Sequence, residues 1–295
     1  MQNDKLLNYL HLHFIVFIWG FTAVLGALIS IDAIPLVWFR MLLGSFFVFI
    51  FIKIRKERIA ISVRTLFKFG FVGLLIALHW LAFFSAIKTS NVSITLAMMS
   101  TGAFFGSLLE PIFYKRKIIK YEVLFGLIVI VGLYIIFKVE TQYIFGILLA
   151  LCASFLGALF SIFNGKLIQH HKASVISFYE LLFGMLFISV YLLINGSFDS
   201  SFFQLSLNDW IFIIILASAC TAYAFIASIH VMKWISPYTL LLTINMEPVY
   251  GIILALIILG EKEYMSPSFY FGAVIILITV IVNGIIKNKN RDKLS

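Results

Sequence analysis

Residues 143–166 read YIFGILLALCASFLGALFSIFNGK, and no charged side chain appears in that run before Lys166. At about 1.5 Å of rise per residue, a helix of this length crosses the ~30 Å hydrocarbon core of a bilayer. Working outward from it, the same pattern recurs in both directions. Apolar runs bounded by charges and turn residues lie at 9–29, 35–53, 68–88, 91–114, 121–138, 174–194, 209–232, 237–259 and 267–287. The expected fold is therefore all-α: a polytopic membrane protein of ten transmembrane helices joined by short loops. The longest gaps fall at 54–67 and 195–208.

Composition excludes a soluble globular domain. Hydrophobic residues make up 62% of the chain and charged residues only 12%, against roughly a quarter charged in an ordinary soluble domain. Thirty-two phenylalanines suit a surface that faces lipid. The net charge of +9 does not point to nucleic acid, because the basic residues form short clusters between apolar runs and no continuous patch. Cys152 and Cys220 both fall inside apolar runs and read as small apolar residues with no disulfide or metal role. The run from Tyr9 has full span length and no small-residue cleavage site, so it is expected to be the first helix and not a removable signal.

Orientation follows from the loop charges. With the N-terminus in the cytoplasm, eighteen Lys and Arg residues fall on the cytoplasmic side, and only Lys88, Lys138 and Lys262 on the other. That bias places both termini in the cytoplasm and the chain in the cytoplasmic membrane. An internal echo accompanies it. Trp38-Phe39-Arg40-Met41-Leu42-Leu43-Gly44 aligns with Phe178-Tyr179-Glu180-Leu181-Leu182-Phe183-Gly184, and Gly126 aligns with Gly272. Five helices per half is an odd number, so the halves must be inverted with respect to each other, as in many secondary transporters.

The residues that carry this echo also carry a resemblance. Trp19-Gly20, the paired positions Arg40 and Glu180, Glu247-Pro248 and Gly260-Glu261 resemble, in order and spacing, the EamA-type branch of the drug/metabolite transporter superfamily. The resemblance covers nearly the whole chain. It implies two five-helix repeats, 1–140 and 141–295, and a central cavity lined mainly by spans one, three, four, six, eight and nine. It also implies a secondary transporter, with export of amino acids or related metabolites as the leading function and an uptake permease for a small metabolite as the alternative. Two places depart from the family pattern: Met99-Ser100-Thr101-Gly102 stands where Ser-Pro is usual, and Tyr114-Lys115 stands where the second half has Gly260-Glu261.

Ionisable residues inside a bilayer are candidates for function, because a charge there is costly. Glu247 and His79 each lie about eleven residues into their spans, near the midplane, and are expected to face one cavity and bind a zwitterionic or polar solute. Pro248 removes a backbone donor and frees the Ile244 carbonyl beside Glu247. Trp19, Thr22, Ser100, Thr101, Tyr223 and Asn245 fall at similar depth and are candidate lining residues, although such residues also hold helices together. Arg40 and Glu180 are read as gate or structural charges near opposite faces.

No phosphate-binding loop, HExxH, calcium loop or Gly-x-Ser-x-Gly elbow occurs in the sequence. Transport is then facilitated or driven by protons or another coupling ion, without a cofactor. The expected partners are the lipid bilayer and a small-molecule substrate. A membrane-embedded enzyme is the rival class. It would gather acids and histidines at one interface, whereas here they are scattered through the spans.

Overall fold

The computed structural model describes residues 2–115 and 120–292, and among these residues every regular element is helical. In chain order they are α1 (Gln2–Leu28), α2 (Ala33–Ile54), α3 (Val63–Thr89), α4 (Val92–Met99), α5 (Gly102–Tyr114), α6 (Lys120–Val139), α7 (Ile144–Leu167), α8 (Ala173–Ile194), α9 (Leu207–Ala217), α10 (Ala224–Val231), α11 (Pro237–Ile244), α12 (Glu247–Leu259) and α13 (Pro267–Asp292). Seven segments are long and apolar enough to cross a membrane, one of them running through α4 and α5 and another from α9 to α10. The shorter apolar stretches Leu124–Val139 and Pro267–Asn283 lie within α6 and α13. Of the basic clusters that set the expected orientation, residues 116–119 and 293 lie outside the described residues.

Helices suit this sequence because a bilayer offers the backbone no other hydrogen-bond partner. Their ends are marked by polar residues that satisfy the first free N–H groups. Ser62, Asn91 and Ser206 accept from the backbone nitrogens of Thr65, Ile94 and Asp209. The outer surface stays apolar, with Phe145 66%, Ile257 74% and Phe271 61% exposed, as lipid contact requires. Inside, α3 packs on α7 and α8, α2 on α8, α1 on α12, and α6 on α13.

Three breaks were not expected from the apolar pattern. The fourth apolar run is two helices that meet at Ser100-Thr101, and the ninth is two helices that meet at Asn245-Met246. In the eighth, Ser218–Tyr223 winds as a π-helix between α9 and α10. At the first break the hydroxyls of Ser100 and Thr101 donate back to the carbonyls of Ala97 and Met98, and Ser154 Oγ of α7 donates to the Met99 carbonyl. These bonds replace the helical bonds the break removes.

Candidate functional site

The breaks surround a central cavity of about 890 Å³ of empty space, counted out to its open edge. Its wall takes residues from α1, α2, α3, α7, α10 and α11, from the two ends of the α4–α5 break, and Glu247 from the start of α12. Close helix approach shapes it. Gly157 of α7 lies against the His79 ring, where a Cβ would come within 3.2 Å of Cε1. Gly102 faces Ser154 across the α5–α7 contact. Gly102 and Gly157 thus serve close packing, and Gly157 also makes room for a cavity side chain.

Glu247 and His79 line this same cavity. His79 Nδ1 lies 2.7 Å from the Ala153 carbonyl of α7. A carbonyl only accepts, so Nδ1 carries the proton, and the neutral ring presents Nε2 as an acceptor. The ring is held by Phe160, edge-on at 5.2 Å, and by Phe83 at 6.3 Å. The Glu247 carboxylate makes no hydrogen bond or ion pair among the described residues, although it is 7% exposed and nearly surrounded. Trp19 and Thr22 line the cavity as well, and Trp19 Nε1 donates to the Cys220 carbonyl at 3.2 Å.

Other expectations are corrected. Arg40 was read as a gate or structural charge near one mouth, yet its long stem carries the guanidinium into the cavity wall. There Nε donates to Thr221 Oγ1 at 2.7 Å, Cζ stands 3.8 Å from the centre of the Trp80 ring, and Nη1 has no hydrogen-bond partner. Tyr223 does not line the cavity. It closes the π-helix on the outer side, 42% exposed, with its hydroxyl 2.8 Å from His11 Nε2. The wider π turn changes which residues of this span face inward, so Cys220 lines the cavity and Thr221 reaches Arg40. Ser100, Thr101 and Asn245 are buried at the helix breaks and are not part of the cavity wall. Thr101 Oγ1 donates to Ser154 Oγ at 3.0 Å, whereas Asn245 Nδ2 has no partner. Glu180 is fully buried in α8, where its Oε2 accepts from Asn164 Nδ2 at 3.1 Å. Sequence reading missed Asn164, Ser154, Ser161 and Trp80 as lining residues. An amide and two hydroxyls inside the run 143–166 were the available signal.

The two ends of the bundle differ. A second depression, bordered by Lys68, Glu110, Lys166, His170, His171 and Lys233, shares Met232 with the cavity and lies at the end where α7 meets α8. The opposite end is held by hydrogen bonds. Asp209 accepts from Ser30 N at 2.6 Å, Ser30 Oγ at 2.7 Å and Ser206 Oγ at 2.6 Å. Glu263 accepts from the backbone nitrogens of Val92 and Ser93 at 3.1 and 2.8 Å, and Lys88 Nζ donates to the Ile29 carbonyl. A polar depression thus adjoins the cavity wall at one end, and hydrogen bonds of Asp209, Glu263 and Lys88 tie neighbouring segments together at the other.

Known proteins are similar to this chain. A solved crystal structure aligns over 94% of this chain and 96% of its own, with a TM-score of 0.68 at 14% identity, a likeness of fold alone. A protein of Clostridium kluyveri described as an uncharacterized transporter is 22% identical over 231 residues, 76% of this chain and 72% of that one. The profile of the EamA-like transporter family matches twice, over residues 8–138 and 144–285. The chain therefore belongs to the EamA-like transporter family, as a multi-pass membrane protein.

Proposed function

We propose that this transporter moves a small zwitterionic solute across the cytoplasmic membrane by alternating access, as an exporter of amino acids or related metabolites. One observation carries the reading. Arg40 and Glu247, a base and an acid, line one cavity and form no ion pair with each other. Uncompensated charges in a low-dielectric site cost free energy that a ligand of matching charge recovers. A solute carboxylate fits the guanidinium, whose planar fork binds carboxylates in pairs of hydrogen bonds. Its ammonium group fits Glu247, and His79 Nε2 accepts a further hydrogen bond. The aromatic rings of Trp19, Trp80, Phe160 and Phe225 surround the rest.

Alternating access requires two halves that rock. The two family matches divide the chain near residue 140, and the broken helices α4–α5 and α11–α12 occupy corresponding places in them. Interrupted helices in matching places of two inverted repeats are the usual walls of a midplane site. Gly132 and Gly272 each meet the other's carbonyl at the crossing of α6 and α13. Ten spans in two inverted five-helix repeats, with both termini cytoplasmic, account for these pairings. On that orientation the end with the polar depression faces the cytoplasm, where an exporter loads.

The test is reconstitution in liposomes with labelled amino acids and related metabolites, with and without a pH gradient. Wild-type protein is expected to transport at least one zwitterion. Glu247→Gln and His79→Ala, checked for folding by monodispersity and thermal stability, are expected to lose that transport. Well-folded variants that transport at wild-type rates would refute the assignment of the site.

A further inference from the structure

Beside the cavity lies a polar group that solute binding does not use. Glu180 Oε1, Asn164 Oδ1 and Ser177 Oγ are all buried and all without a hydrogen-bond partner. Asn164 comes from α7. Ser177 and Glu180 stand three residues apart on one face of α8. Asn164 Nδ2 already donates to Glu180 Oε2, so the remaining carboxyl and amide oxygens only accept, and the Ser177 hydroxyl can accept or donate. Buried acceptors rarely stay unpaired, and this group is short of donated hydrogens or a cation.

Among the described residues no side chain is bonded to these three oxygens. Among charged and titratable groups on the helices packed against α8, Arg40 of α2 is bonded to Thr221, His79 of α3 to the Ala153 carbonyl, and Lys166 of α7 to the Phe113 carbonyl. Lys53 of α2 stands over Phe49, Lys68 of α3 borders the outer depression, and His230 of α10 stacks near Trp234. None of them is bonded to Glu180. One carboxylate among neutral oxygens matches one positive charge and no more. A sodium ion takes oxygen ligands of this kind. A proton serves equally, since turning the Asn164 amide over lets a protonated Glu180 donate to its oxygen.

We propose that Glu180, Asn164 and Ser177 form a coupling-ion site that holds one monovalent cation, a proton or sodium, next to the solute cavity. Its place suits coupling. Asn164 is shared with the cavity wall. The backbone of α3 passes close to the Glu180 carbonyl at Gly73, and α3 also carries His79 and Trp80. A cation that changes how α7 and α8 pack is thus felt by the helix that lines the solute site. The coupling role rests on the transport reading, whereas ion binding is measured without any solute.

The experiment uses the full chain in lipid nanodiscs, as wild type, Glu180→Gln, Ser177→Ala and the exposed-loop control Asp199→Asn. One arm measures equilibrium binding of radioactive sodium at alkaline pH in choline buffer. The other records infrared difference spectra between acid and alkaline buffers free of sodium and reads the carbonyl stretch of a protonated carboxylic acid. At least one arm is expected to give a signal in wild type and Asp199→Asn. That signal should vanish in Glu180→Gln and show several-fold weaker sodium binding, or a shifted titration, in Ser177→Ala. Should Glu180→Gln fail to fold, Ser177→Ala decides. No sodium binding together with no titrating carboxyl overturns the proposal, and so does a signal that these substitutions leave unchanged. Solute transport that survives such a failure makes the protein a facilitator, whereas ion binding without solute transport overturns the solute reading instead.

Discussion

Gly70 and Gly73 stand one turn apart on α3, both against Phe183 of α8, and alanine is expected to act in opposite directions at the two positions. A Cβ on Gly73 would lie 2.5 Å from the Glu180 carbonyl oxygen, 3.2 Å from its carbon and 3.1 Å from Phe183 Cβ. Two of these obstacles are backbone atoms, which no rotamer change removes. Ordinary contact begins at 3.4 Å, so the helices must separate by about 0.9 Å, with the dispersion losses that follow. Overpacking of this kind costs about 1–3 kcal/mol. At Gly70 the nearest atoms are those of the Phe183 ring, at 3.6 Å, already an ordinary distance. There the methyl group fills space, and relief of glycine's backbone entropy contributes up to about 1 kcal/mol. With ~2–4 °C per kcal/mol for a chain of moderate size, Gly73→Ala is expected to melt several degrees below wild type and Gly70→Ala at or slightly above it. Unfolding of a membrane protein is often irreversible, so the comparison is made by intrinsic fluorescence at one scan rate in one detergent. A Gly73→Ala protein as stable as wild type, or a Gly70→Ala protein that falls as far as Gly73→Ala, refutes the backbone contact between α3 and α8.

Arg40→Lys keeps the charge but loses the Nε bond to Thr221 and the flat face over Trp80. Solute affinity is expected to fall about tenfold or more, the worth of a charge-assisted hydrogen bond, in a binding titration on folded protein; unchanged affinity counts against Arg40 as the carboxylate partner. Asp209→Asn removes the charge from three hydrogen bonds at the end away from the polar depression. An impermeant thiol reagent should then label the buried position in an Ile29→Cys protein about tenfold faster, for a loss of ~1.4 kcal/mol, on a background without native cysteines; an equal rate shows that Asp209 does not hold that end. Reporter fusions after Lys287 and within 54–67 are expected to be cytoplasmic, and one within 195–208 external; an external C-terminus removes the ten-span arrangement.

The helices were legible because a bilayer leaves a long apolar run few alternatives. Where a helix skips a bond was harder to read. Pro248 announced the break before α12, since proline deletes a donor at a known place. The break at Ser100-Thr101 has no proline, and there the signal was a pair of hydroxyls followed by Gly102, able to bond their own backbone. Depth within the membrane was countable from the sequence, but rotation about a helix axis was not. Tyr223 and Glu247 were both placed at mid-depth, yet the π turn faces one to the outside and the other lines the cavity. Arg40 failed differently, because counting residues locates a Cα, and the guanidinium lies at the end of a long flexible stem.

The paired positions Arg40 and Glu180 show what a duplicated frame can do when its halves diverge. Each sits on the second helix of its half, and each is buried against a polar residue of another helix, Arg40 against Thr221 and Glu180 against Asn164. In the proposed inverted arrangement, equivalent positions face the cavity from opposite sides of the membrane. A chain with the same charge at both places would confront a solute with the same demand from either side. Opposite charges make the pathway polar instead. The cation reaches the cavity itself, where it stacks on Trp80 and faces the unpaired Glu247. Glu180 stays one side chain back, bonded to Asn164, beside buried oxygens that have no hydrogen-bond partner. Solute recognition and ion binding can then come from one ancestral position, used once on each half, and α3 touches both: at Trp80 through the ring that Arg40 covers, and at Gly73 through the backbone of Glu180. That shared helix is why a methyl group at Gly73, which contacts neither solute nor ion, is expected to disturb both.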